Sequence, residues 1–264
     1  ATSIVHAQAL RILASLEKEF GPKKGNEAEK YLAEARRIED AVNTQLWMPE
    51  KGYYGMYTYG RNNLILNPRA ETLGESLAIL YDVASPERAR TISASNPVTP
   101  FGAGVFFPQI ADMPPYHNNA LWPWVGAYWA MANAKALNEE GTLEAIGSVF
   151  RPAALFATNK ENFVLDNGDI ATELNSSNML WCLAGNLAIT HKILFGIHFE
   201  NDGLAFKPFV PKTLAAERTL ENFPYRKATL NITVKGYGSE IRSFTVNGKE
   251  TRPFIPADAK GVKN

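Results

Sequence analysis

A chain of 264 residues can bury a substantial core, either as one large domain or as a medium domain with an appendage. Its 27 basic and 27 acidic residues balance, and no run of Lys or Arg exceeds two; this argues against nucleic acid or an anionic membrane as the main partner, since both need a basic face. The single cysteine, Cys182, excludes an internal disulfide and a thiolate metal cage. His6, His117, His191 and His198 lack ligand spacing, so neither a metal nor another cofactor is expected.

In chain order, Val5, Ala9, Ile12, Leu13, Leu16 and Phe20 repeat at helical spacing until Gly21-Pro22. The chain starts at Ala1 and enters this helix at once, as a processed or truncated product would. A second, half-polar helix follows, with Ala28, Tyr31, Leu32, Ala35, Ile38, Val42 and Leu46 on one face. The Gly-punctuated aromatic run Gly52 to Gly60 suits a short strand or hairpin. Asn67 and Pro68 predict the cap and first turn of a third helix, Arg69 to Val83, with Glu71 and Glu75 on one face. Those two acids are expected either to bind hydroxyl groups or simply to suit the helix dipole. A short helix near Pro86 to Ser93 precedes a Pro-, Gly- and Phe-rich loop, Ala94 to Met113.

The stretch Tyr116 to Trp129, YHNNALWPWVGAYW, is next. It predicts a helix, Ala120 to Leu137, apolar on nearly every side and hence buried, with its polar groups at the start. Unpaired N–H groups flanked by an imidazole, carboxamides, a phenol and indoles suit a polar ligand with flat faces, such as a sugar. An amphipathic helix, Gly141 to Ala157, precedes a loop holding Glu161, Asp166, Asp169 and Glu173. Ser176 and Ser177 are read as caps of a last apolar helix, Asn178 to Leu194. From Gly196 the period changes to two: Leu204 to Phe206, Ala228 to Val234, and Ser243 to Arg252 around Asn247-Gly248 describe antiparallel strands, with a frayed tail after Pro256.

The organisation is therefore mainly α: residues 1–195 as about seven helices alternating between half-polar outer and all-apolar inner types, and residues 196–264 as a small antiparallel β appendage. Loops preceding the inner helices would meet at one mouth.

Three segments carry a family resemblance: QLWMPEKGYYGMY (Gln45 to Tyr57), the YHNNALWPW run, and GIHFENDGLAFKPFVP (Gly196 to Pro211) followed by YRKATLNITVKGYG. The chain resembles the C-terminal half of the six-hairpin glycosidases, a group that includes α-glucosidases, mannosylglycerate-hydrolase-like enzymes, debranching glucosidases, α-L-rhamnosidases and some disaccharide phosphorylases. The resemblance implies an (α/α)6 toroid, here partial, a closing β-sandwich and a carbohydrate substrate. Inverting members use a general acid and a general base ~6.5–9.5 Å apart. The base position falls on Glu173, with Asp169 and Asp166 as alternatives. Arg69, Glu71, Tyr116, His117, Asn118, Trp122 and Trp124 would line the pocket. No position suits the general acid except, with unusual geometry, Glu71 or Glu75, so it is expected outside the chain, in a missing N-terminal half. That half, or a self-association partner, would also cover apolar inner helices. Two other functions fit: a phosphorylase on the same fold, or a non-catalytic carbohydrate-binding scaffold.

Overall fold

The computed structural model describes residues 1–22 and 25–264. They form two compact units, Ala1–Cys182 and Leu183–Asn264. Helix makes up about 40% of the chain and strand 24%, so the description as mainly α suits the first unit better than the whole.

Six helices and the beginning of a seventh build the first unit: α1 (Thr2–Phe20), α2 (Glu27–Gln45), α3 (Thr72–Leu80), α4 (Pro86–Ser95), α5 (Pro123–Lys135), α6 (Glu139–Phe156) and α7 (Leu180–Ala188). They pack as hairpins α1/α2, α3/α4 and α5/α6, whose first members lie side by side in the row α1, α3, α5. Composition explains the division. Helix α5 buries Val125, Ala127, Trp129, Ala130 and Ala132 around its circumference, whereas α2 buries only Ala28, Ala35 and Val42 along one stripe. Helix α1 is intermediate. It buries Ile4, Ala7, Leu10 and Ala14, yet exposes Val5, Ile12, Leu13, Leu16 and Phe20.

The connections α3→α4 and α5→α6 are short, residues 81–85 and 136–138, while 46–71, 96–122 and 157–179 are long. Each of the two last-named long connections returns to the start of a row helix. Phe106–Phe107 pairs with Ala70–Glu71, just before α3, and Phe163–Val164 pairs with Ala120–Leu121, just before α5. These two-residue ladders move the helix starts from where capping residues alone would put them. Helix α3 begins at Thr72, not Arg69, and its cap is Glu71, which accepts from the Gly74 N–H at 2.8 Å. Asn67 ends a strand instead and accepts from the Arg69 N–H at 3.1 Å. Helix α5 begins at Pro123, a residue suited to a first turn because the missing N–H would have had no partner there. Helix α7 starts at Leu180 rather than Asn178, and Ile189–Leu194 widens into a π-helix.

The second unit is built from strands. Ile197–Phe199, Gly203–Phe206 and Phe254–Pro256 make one antiparallel sheet. Ala216–Tyr225 and Lys227–Gly236 pair antiparallel in another. A shared cluster of Phe195, Ile197, Leu204, Phe206, Tyr225, Ala228, Leu230 and Ile255 holds them together. Gly196 has φ +64, and a Cβ there would stand 2.0 Å from the Pro208 nitrogen, so only glycine fits this entry to the strands. Asn247 and Gly248 both have positive φ, 48 and 74, as a two-residue hairpin turn requires. The tail is not frayed: Lys260–Lys263 runs parallel to Lys227–Leu230, and the Asn264 N–H donates to Asn247 Oδ1 at 2.8 Å.

Candidate active site

The connection 96–122 folds around its own polar groups. Asn118, only 3% exposed, accepts from the Ile110 N–H at 2.7 Å and donates to the carbonyls of Ile110 and Met113 at 3.1 and 2.8 Å. Its carboxamide holds the loop. The Trp122 indole is 5% exposed and donates to the Tyr116 carbonyl at 2.7 Å. The His117 ring covers one of its faces, stacked at 5.0 Å and 8°. Trp122 therefore lies beneath His117 at the rim. Tyr116 packs edge-on against both rings, at 4.7 Å from His117 and 5.3 Å from Trp122.

The other expected binding residues divide similarly. Arg69 donates through Nε to the Pro108 carbonyl at 2.9 Å, tying the connection before α3 to the one before α5. Glu71 is the α3 cap. Trp124 is half-buried against Tyr128, with its Nε1 buried and unpartnered among the described residues. Of the expected pocket residues, His117 is exposed and Tyr116 half-exposed.

The connection 157–179 brings the carboxylates. Its backbone is cross-braced by two buried or half-buried carboxamides. Asn162 donates to the Leu174 carbonyl at 3.1 Å, and Asn175 donates to those of Asn162 and Ile170 at 2.8 and 3.1 Å. The Glu173 N–H donates to the Pro115 carbonyl at 2.8 Å, which fixes this loop against the residue preceding Tyr116. The Glu173 side chain itself is exposed and has no hydrogen-bond or ion-pair partner among the described residues. Its alternatives are already engaged: Asp166 accepts from Asn119 at 2.8 Å, and Asp169 accepts from the Ala171 N–H at 3.0 Å.

Two residues that sequence reasoning passed over also sit here. Glu161, 5% exposed, accepts from the Tyr116 hydroxyl at 3.3 Å and from the Ser176 N–H at 3.3 Å. Burial, then the charge of Glu161 and more weakly that of Glu173, raise the Tyr116 phenol above its ordinary pKa, so it remains a hydrogen-bond donor at neutral pH. Trp181, at 6.1 Å from Trp122, is 48% exposed. Its place in the apolar run Trp181-Cys182-Leu183-Ala184 hid it as core. Only Cys182 in that run is fully buried, with its thiol pushed up to about 11 by burial and so inert at neutral pH.

Neither candidate for the second carboxyl group opens to this rim. Glu71 is engaged at its helix end. Glu75 is 2% exposed, accepts from the Tyr54 N–H at 2.9 Å, and is pushed well above the carboxylate range by burial. A groove of about 870 Å³ lies among α4, α5 and α6, and none of the expected site residues lines it.

No protein-family model matches the chain, and no curated protein matches it in sequence. Solved structures do. A GH78 family rhamnosidase of Bacillus sp. GL1 aligns with a TM-score of 0.52 at 18% identity, over 86% of this chain and 24% of that one. The neutral trehalase of Saccharomyces cerevisiae aligns with a TM-score of 0.53 at 10% identity, over 72% of this chain and 37% of that one. The chain thus spans between a quarter and two-fifths of their length, and over that stretch it has a glycosidase-like fold.

Proposed function

We propose that the chain is the C-terminal portion of an inverting, exo-acting glycoside hydrolase in which Glu173 is the general base. The observation that carries this reading is the contrast at Glu173: an exposed, unpartnered carboxylate on a backbone locked by Asn162, Asn175 and the Pro115 carbonyl. A merely solvated loop acid needs no such bracing; a base that must aim at one water does. Glu173 removes a proton from that water as it attacks the anomeric carbon, and the leaving oxygen is protonated from the opposite side of the ring. Tyr116, its proton directed to Glu161, accepts a hydrogen bond from a sugar hydroxyl at the rim, while His117 and Trp181 offer exposed ring faces to the sugar. With Glu71 and Glu75 both turned to structural roles, the proton donor is assigned to a segment beyond these residues. The shared fold with a rhamnosidase and a trehalase supports a glycosidic substrate.

The test is Glu173→Gln in the full-length protein. Release of the aryl group from a panel of aryl glycosides, including α-L-rhamnoside and α-glucoside, is expected to fall while ligand binding persists. Unchanged turnover removes Glu173 as base; a wild-type protein that binds sugars and cleaves none of them favours the binding-scaffold reading.

A further inference from the structure

Tyr116 and Glu161 meet across the two long connections that reach the rim. The Tyr116 main chain is held on both sides, its N–H donating to the Asn118 carbonyl at 3.1 Å and its carbonyl accepting from the Trp122 indole at 2.7 Å. Its ring packs edge-on against His117 and Trp122. Glu161 is held as firmly: its N–H donates to the Ser176 carbonyl at 2.9 Å, and it is 5% exposed. A backbone N–H can only donate, so Glu161 Oε2 accepts from Ser176 at 3.3 Å; Oε1, the other oxygen, accepts the Tyr116 phenol proton at 3.3 Å. With its proton turned to Glu161, the phenol has only lone pairs to offer elsewhere. The charge of Glu173, the proposed base, also acts on this phenol.

From this arrangement we infer that Glu161 is a positioning residue that commits Tyr116 to accepting, so that the site selects a neutral sugar residue presenting an unsubstituted hydroxyl at this point; the inference rests on the reading of this rim as a sugar site. A hydroxyl can donate to the phenol oxygen, whereas a fluorine, a methoxy oxygen and a carboxylate can only accept. Each of these three would face oxygen lone pairs with no proton between, and a carboxylate would also meet the like charges of Glu161 and Glu173. A phenol free to rotate would tolerate all three, because its own proton could turn to them. The composition of the connection 157–179 agrees, with Glu161, Asp166, Asp169 and Glu173 against the single cation Lys160. A uronic acid at this point is therefore rejected by the same contact that admits its neutral counterpart.

The test is calorimetric titration of the full-length protein with the methyl α-glycosides of L-rhamnose, D-glucose and D-mannose, and with analogues in which each hydroxyl in turn is replaced by fluorine. The wild type is expected to bind at least one parent glycoside and to lose about tenfold in affinity for one of its fluoro analogues, the scale of one unpaired polar contact. In Glu161→Gln the Ser176 N–H claims the only side-chain carbonyl oxygen, the NH2 turns to Tyr116, and the phenol proton is released toward the sugar. The penalty at that hydroxyl is then expected to shrink to about twofold or less. Tyr116→Phe, which removes the acceptor, is expected to erase the same penalty. The inference is overturned if the wild type binds none of these glycosides, if no single fluorine weakens binding, or if the penalty is unchanged in Glu161→Gln or in Tyr116→Phe. It is also overturned if Glu161→Gln weakens a parent glycoside and all its analogues by one common factor, as the loss of a mere staple between loops would. Because binding is read without turnover, a wild type that shows the penalty but cleaves no aryl glycoside sinks the hydrolase reading alone. Glu173-dependent cleavage by a protein whose Glu161→Gln variant keeps the wild-type preference sinks this inference alone.

Discussion

The connections 96–122 and 157–179 both return to the start of a row helix, and both are held by buried carboxamides, yet they spend their polar side chains differently. In 96–122, Asn118 and the Trp122 indole bond to the loop's own backbone. In 157–179, Asn162 and Asn175 do the holding, and the acid between them, Glu173, is left open to water. The difference teaches that a polar residue near a helix mouth is not by that fact a ligand contact: one loop is the frame, and the other presents the group.

This contrast can be broken most severely at Glu173. Glu173→Gln is expected to lower kcat by ~10²–10⁴-fold, the range for losing a general base, with no change in thermal midpoint beyond that of a surface substitution. A large loss of stability would mean that Glu173 belongs to the frame. Asn118→Ala should show the opposite pattern. Leaving the Ile110 and Met113 backbone groups unpaired is expected to cost ~2–4 kcal/mol in denaturant unfolding, and activity should fall only as far as folded protein is lost. Trp181→Ala tests whether the exposed indole belongs to the presenting side: KM is expected to rise about fivefold, roughly the ~1 kcal/mol of one ring contact, with kcat nearly unchanged.

The smallest effect concerns Glu75. Its carboxyl is raised by burial above the unfolded value, so the folded state holds its proton more tightly. Stability from this group is present below the ordinary carboxyl pKa and falls as pH rises from there toward the raised value. Glu75→Gln carries no such charge. Its thermal midpoint should gain on the wild type as pH rises above the ordinary carboxyl range; a gap that stays constant with pH would show that Glu75 is ionised in the fold.

What the sequence made legible follows from which forces act locally. The alternation of α2 and α5 was readable because burial on one side or on all sides writes itself into every turn of a helix. The Asn247-Gly248 turn was readable because few other residue pairs accept positive φ at both positions. The starts of α3 and α5 were not. Asn67 and Asn118 have the chemistry of caps, but the pairing of Ala70–Glu71 with Phe106–Phe107, and of Ala120–Leu121 with Phe163–Val164, depends on residues far along the chain. The strand Lys260–Lys263 was missed because its polar residues carry no alternation, its order coming from a neighbour strand. At the site, Glu173 was picked out by position in a resemblance, whereas Glu161 and Trp181 emerged only from contacts across the loops. One looked like a solvated acid and the other like core.

The claim on which the account rests is that Glu173 activates the attacking water without bonding to the sugar itself. NMR of the first sugar released by the wild type, before mutarotation and with Glu173→Gln run beside it, reads this directly. The account predicts a released sugar of anomeric configuration opposite to that of the substrate and little or none from the variant; a sugar of retained configuration, the product of a carboxylate that bonds to the anomeric carbon, or undiminished release by the variant, would contradict it.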